Sequence, residues 1–289
     1  MPFLFLIFFF VTSLGAFTLE TQNVSVANGR TAILLLDKVK GIEYQKLVDG
    51  KRKYRIFNHP TDRTKMYVLL PENYYNKPAV HSVELLYLQD KKQEKKGLKI
   101  HVVDGHYAKE TIHVAKSKVN PRSKAVKKRT AKEYAEAMKI YGHATAKNYV
   151  SSAYIVPLTS KITSDFGKAR VYNDTLKGYH SGTDFRAKTG TPIIASNDGK
   201  VVLAQNRFYA GNSIIIDHGE GIYTCYYHLS QFKVKVGEMV KKGQVIGLSG
   251  ATGRITGPHL HFSARVGGVQ VDPLQLIKLL NKNFYGENK

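Results

Sequence analysis

The sequence predicts a mainly β protein, a small β module and a larger β domain joined by a linker helix. Three observations carry that expectation. Runs rich in β-branched and aromatic residues recur between residues 17 and 115, separated by Gly, Pro, Asn and Asp turns. Helical three- and four-residue spacing is confined to 123–144 and to "DPLQLIKLLNKN" (272–283). From Tyr154 onward, glycine punctuates further strand-like runs, which implies an almost wholly β domain. A length of 289 residues suits two domains at about 150 residues each.

Taken in order, the first element is not part of the fold. "PFLFLIFFFV" (2–11) followed by "TSLGAF" reads as a secretory signal over residues 1–16, cleaved near Gly15 or Ala16, although only the α-amino group supplies its positive charge. The alternatives are an uncleaved anchor or a buried strand. No apolar run reaches the ~20 residues of a membrane-spanning helix. No cysteine near the signal could carry a lipid, so the mature chain is expected to be soluble, monomeric and without a membrane anchor.

The module at 17–115 contains the expected strands 31–37, 65–70, 81–88, 98–103 and 110–115. His101 and His113 fall within them as ordinary strand histidines, without ligand partners at useful spacing. A basic linker spans 116–150, and its first seventeen residues, 116–132, hold eight Lys/Arg and no acid. Its helix covers 123–144, capped by Ser123 and ended by Gly142, with Tyr134, Ala137, Met138 and Tyr141 on one stripe. Residues 151–289 form the second domain. Its lone Cys225 excludes an intramolecular disulfide and, inside "YTCYYHLS", reads as a small buried apolar side chain.

With 44 basic against 22 acidic residues the chain carries +22, which points to an anionic polymer or surface as partner. Nucleic acid would fit the charge, but the export signal favours a cell-wall polymer bearing carboxylates, and no nucleic-acid motif is present.

In "GPHLHF" (257–262), an extended strand puts His259 and His261 on one face with Leu260 and Phe262 on the other. "GYHSGTDF" places His180 and Asp184 four residues apart, a span of ~13 Å if fully extended. Gly182 permits the bend that would close it. With His261 as third ligand, two neutral imidazoles and one carboxylate suit zinc and leave a fourth position for water.

The blocks "ITSDFG", "GYHSGTDF", "GTPIIASNDGKV", "YYHLS", "GQVIGLSGATG" and "GPHLHF", in that order, closely resemble the M23 family of zinc metallopeptidases, the lysostaphin/LytM-type peptidoglycan endopeptidases. The resemblance covers roughly residues 155–275. It implies a LytM-type antiparallel β peptidase domain holding one Zn2+ per chain through His180, Asp184 and His261. It further implies that His259 and His228 are catalytic residues beside the metal, without saying which is the general base. His218 in "DHGEG" matches no family role and reads as a turn residue. "VYNDTLK" (171–177) departs from the aromatic-rich wording usual before the first ligand.

Three rivals are weaker. A closed structural site with His259 as fourth ligand leaves "YYHLS" without a purpose. A catalytically inactive LytM-like activator of another wall hydrolase would be expected to have lost ligands, whereas every expected one is present. "VKVGEMVKKGQVIG" also resembles lipoyl carriers but lacks their hairpin lysine. The resemblance therefore implies a periplasmic peptidoglycan hydrolase acting in cell-wall remodelling and cell shape. Its substrates would be stem peptides, and its activity that of a D,D-endopeptidase on D-alanyl–meso-diaminopimelate cross-links, with D,D-carboxypeptidase activity as a second expectation.

Overall fold

The run Thr31–Asp37 (TAILLLD) is apolar on both faces, which suits a strand covered on both sides rather than one with a solvated face. In the computed structural model, which describes residues 24–112, 123–172 and 175–286, this strand and its antiparallel partner Lys65–Pro71 lie between two cores. Ala32, Leu34, Leu36, Val68 and Leu70 face the N-terminal core. Tyr67 and Leu69 face the other way, into the core of the C-terminal domain, where Ile33 and Leu35 also pack. The module is thus joined to the second domain by a shared apolar layer.

The N-terminal core is closed by a five-stranded sheet in the order Val24–Ala27, Lys92–Val103, Ala79–Gln89, Ile42–Asp49, Arg52–Tyr54. Val83, Leu85, Leu98 and Ile100 point inward from it, between more exposed neighbours. His101 lies in the strand Lys92–Val103. The last expected strand of the module begins at Lys109 and is described to Ile112. It pairs in parallel with Ala169–Tyr172, whose antiparallel partner is Thr175–Tyr179, so it belongs to a sheet of the second domain. The signal segment 1–16 and His113 lie outside the described residues.

The linker helix runs Lys124–Tyr141. Ser123 stands at its N-cap but makes no side-chain capping bond, while Gly142 ends it with a backbone bond to Met138 O of 2.9 Å. Ala137 and Tyr141 are buried, but Tyr134 is 65% exposed, so the apolar stripe is shorter than its spacing predicts. Its apolar packing on the sheet comes from the C-terminal turns, where Tyr141 meets Tyr223 and Cys225.

The second domain is built on an antiparallel path ordered Ile162–Ser164, Thr183–Arg186, His259–Val266, Ile222–Phe232, Gly211–Asp217, Gly199–Arg207, Met239–Val240. Ile214, Ile216, Tyr226, Leu260 and Phe262 fill its core against Leu276 and Leu280 of the helix Pro273–Tyr285. Asp272 caps that helix, its Oδ1 accepting from the backbone of Leu274 and Gln275 at 3.0 and 3.2 Å. The Gln275 side chain then bonds the Thr31 backbone in both directions, at 3.0 and 2.8 Å. Among the described residues, no helix is long and apolar enough to cross a membrane.

Glu220 lies where the module, the linker and the second domain meet. Its carboxylate accepts from Tyr67 Oη and from Asn148 Nδ2 (2.9 Å), and its backbone N–H donates to Thr145 O (2.7 Å). Burial pushes its carboxyl up from 4.5 to about 7. The folded state therefore holds this proton more tightly than the unfolded state, and the associated stability is present below pH 4.5 and lost as pH rises through 7. The full shift corresponds to on the order of 3 kcal/mol. Glu220→Gln is expected to flatten that dependence, so wild type should gain on the variant in thermal melts at pH 5 relative to pH 8. An identical difference at both pH values would count against it.

Candidate metal centre

His180 is held from both sides by the turn Asp165–Lys168. Gly167 N donates to His180 O and His180 N to Lys168 O, each at 2.8 Å. The ring Nδ1 lies 2.8 Å from the Asp165 carbonyl, which can only accept, so Nδ1 carries the hydrogen and the Nε2 lone pair faces inward. Asp184 sits directly opposite His261 in the antiparallel pair of Thr183–Arg186 with His259–Val266. That cross-strand pairing brings Asp184 Oδ1 and His261 Nδ1 to 2.7 Å. His180 Nε2 is 3.0 Å from each of those atoms.

Three ligand atoms thus converge in a buried site, the imidazole of His180 being only 1% exposed. Their separations are slightly inside the ~3.3 Å edge of a ligand tetrahedron around zinc at Zn–N and Zn–O distances of ~2.0–2.2 Å. Burial pushes the Asp184 carboxyl up, but His180 and His261 outweigh it and hold the carboxyl well below the ordinary carboxylate range. An anionic carboxylate and inward lone pairs in so small a space suit a divalent cation.

Gly182 serves this site by close approach rather than by a left-handed bend. It is absent from the positive-φ glycines, and a Cβ on it would lie 2.4 Å from Phe262 O and 2.6 Å from His261 Nε2. Only glycine lets the chain pass that close to the third residue of the cluster.

His259 and His261 share a face, as strand alternation requires. His259 Nδ1 donates to Gly257 O (2.9 Å), and its Nε2 lies 3.6 Å from Asp184 Oδ1, outside the three-atom cluster. His228 reaches the same face by a different device. Strict alternation along Ile222–Phe232 would send His228 into the core beside Tyr226. Instead the register slips between Asn212 and Ile214, and His228 takes φ +62°. Tyr226 and Leu229 stay in the core, while the His228 ring turns out to within 5.1 Å of His259 and 6.0 Å of His261, centroid to centroid. Its Nδ1 donates to Thr252 O at 2.8 Å. Burial, aided by the neighbouring His261, pushes its pKa down to about 3, so the ring is neutral with a lone pair on Nε2.

The structure therefore groups all five expected residues: His180, Asp184 and His261 as a cluster, with His228 and His259 beside it. It adds participants that residue types alone did not reveal, namely the carbonyls of Asp165, Thr252 and Gly257 that orient three rings, and Tyr227, whose ring lies nearly parallel to that of His261 (5.5 Å, 19°). The quoted blocks "ITSDFG", "GQVIGLSGATG" and "GPHLHF" contained all three carbonyls, but a carbonyl has no residue-type signal. His218 follows the strand Gly211–Asp217 as a buried turn residue, its ring bonded to Asp198 O and Thr224 Oγ1 at 2.7 Å each. Of the unusual stretch 171–177, residues 173 and 174 lie outside the described residues.

Comparison with known proteins points to a peptidase family. Residues 178–273 match peptidase family M23. Peptidoglycan DD-endopeptidase ShyA of Vibrio cholerae is 47% identical over 122 residues, 41% of this chain and 28% of that protein. The DD-carboxypeptidase/endopeptidase Mpg of Neisseria gonorrhoeae is 44% identical over 97 residues, 34% of this chain and 22% of that protein. The chain thus spans under a third of the length of either relative. A crystal structure from Pseudomonas aeruginosa, described as a candidate peptidase M23, covers 88% of this chain and 95% of its own, with a TM-score of 0.66 at 24% identity. That likeness establishes a shared fold over nearly the whole molecule.

Proposed function

The chain belongs to peptidase family M23 through residues 178–273, and from that premise we propose that it is a zinc-dependent peptidoglycan hydrolase. One observation carries the proposal: His180, Asp184 and His261 aim three ligand atoms at one buried point, with His228 and His259 beside it. Zinc bound there, one ion per chain, supplies Lewis acidity toward the scissile carbonyl and acidifies a water. The protein does the rest. His259 is the more exposed of the two flanking histidines and lies next to the Asp184 carboxylate, which stabilises an imidazolium. It is the group suited to take the water's proton at Nε2 and pass it to the leaving amine. His228, kept neutral by burial, presents its Nε2 lone pair as an acceptor that orients the water.

The substrate in this reading is the D-alanyl–meso-diaminopimelate cross-link between stem peptides, cut by a D,D-endopeptidase acting in the periplasm in wall remodelling and cell shape. Removal of terminal D-alanine is its second activity. The names of ShyA and Mpg support both activities. The +22 charge supports an acidic polymer substrate, and binding to sacculi is expected to weaken with salt. Separation of muropeptides after digestion of sacculi tests the bond. Loss of cross-linked dimers with the appearance of monomers is the expected result. Intact dimers alongside cleaved pentaglycine bridges would overturn it.

A further inference from the structure

We propose that the linker helix is a working part of the site, with Glu133 as a positioning residue that sets His228. The proposal rests on the role given to His228 above. Glu133 is the first acid after the basic run 116–132. Both of its carboxylate oxygens accept from the backbone N–H of Phe208, at 3.1 and 3.0 Å. Phe208 begins the tip of the hairpin between Gly199–Arg207 and Gly211–Asp217, where no ladder partner serves that N–H. Arg129 locks the carboxylate with a 2.7 Å bond and reaches Asn206 Oδ1 at 3.0 Å. Arg207 Nη2 donates to Glu133 O (3.1 Å), and Gln205 Nε2 to Glu136 Oε2 (2.6 Å). The helix grips one hairpin at four successive residues.

From the hairpin tip the contacts run directly to His228. Ala210 O accepts from His228 N at 2.9 Å. Gly211, with no room for a side chain, lies against Thr252, and Asn212 N donates to Thr252 Oγ1 at 2.9 Å. Tyr209 O accepts from Arg254 N at 2.8 Å, holding the same loop from its other side. The carbonyl of that Thr252 fixes the His228 ring. Backbone and ring of His228 are therefore both tied to the hairpin tip that Glu133 anchors. A histidine at φ +62° needs such enforcement, because the conformation is costly and persists only where the surroundings impose it.

The test compares Glu133→Ala and Glu133→Gln in the full chain. Alanine is a good helix former and Glu133 belongs to none of the hydrophobic cores, so the variant should fold. In Glu133→Ala, amide hydrogen exchange at Phe208–Gly211 and at His228 should quicken about tenfold or more. On sacculi or a soluble muropeptide dimer, kcat should fall roughly ten- to a hundredfold, as expected for a misplaced group, with KM and zinc content unchanged. Glu133→Gln should restore most of both, since its amide oxygen still accepts from Phe208 N–H. Unchanged exchange at the His228 amide in Glu133→Ala would overturn the proposal, as would full kcat despite faster exchange. Exchange decides the tie even if the wild type hydrolyses nothing, a result that would refute the peptidase reading instead.

Discussion

Alanine at His261 should strip the zinc and, with it, the hydrolysis. Wild type is expected to carry about one zinc per chain after purification, and His261→Ala less than about a tenth of that. His261 Nδ1 is within 3.0 Å of both other ligand atoms, so its removal leaves a two-ligand site. Replacing outer-shell partners of a metal site typically costs 10–100-fold in affinity, and loss of a ligand itself should cost more. Without the ion, the attacking water loses the acidification that metal binding would supply, so a rate loss of about 10⁴-fold or more is expected. Metal analysis beside muropeptide release measures both quantities. Undiminished zinc in the variant would remove His261 from the ligand set.

Alanine at His228 or at His259 should separate chemistry from metal binding. Neither ring belongs to the converging set, so zinc should remain near one per chain. General acid–base groups typically contribute 10²–10⁴-fold, and a loss of about that size in kcat is expected for His259→Ala. His228→Ala should lose a comparable amount through misplacement of the water. Alanine at position 228 must still adopt φ +62°, so part of the damage would appear as local loosening of Tyr227–Leu229. Near-normal turnover in either variant would remove that histidine from the mechanism. Retained activity with lost zinc in the His259 variant would mean that the roles of His259 and His261 are exchanged.

Much of this site was legible because strand geometry is periodic. In "GPHLHF" the two-residue period puts His259 and His261 on one face and Leu260 and Phe262 in the core, and the structure follows it. The runs at 31–37 and 65–70 became strands with nearly the expected bounds for the same reason, and helical spacing in "DPLQLIKLLNKN" placed the last helix. Tyr134 was misplaced because helical spacing shows which residues share a face but not how far along the helix a neighbour extends.

The sequence by itself determined the strands Thr31–Asp37 and Lys65–Pro71, the linker helix, the shared face of His259 and His261, and the chemistry available to a carboxylate among histidines. Tertiary structure alone decided which residues meet. The pairing of Asp184 with His261 depends on the register between two strands that set these residues 77 positions apart, which no local pattern encodes. His228 reaches the site only because a register slip and a left-handed backbone reverse the face that alternation would assign to it. Gly182 is needed because Phe262 O and His261 occupy the space that a Cβ there would fill. Local propensity acts over a few residues through backbone sterics and side-chain period. A three-ligand site is a condition on distances between remote segments, and those distances exist only once the sheet has closed.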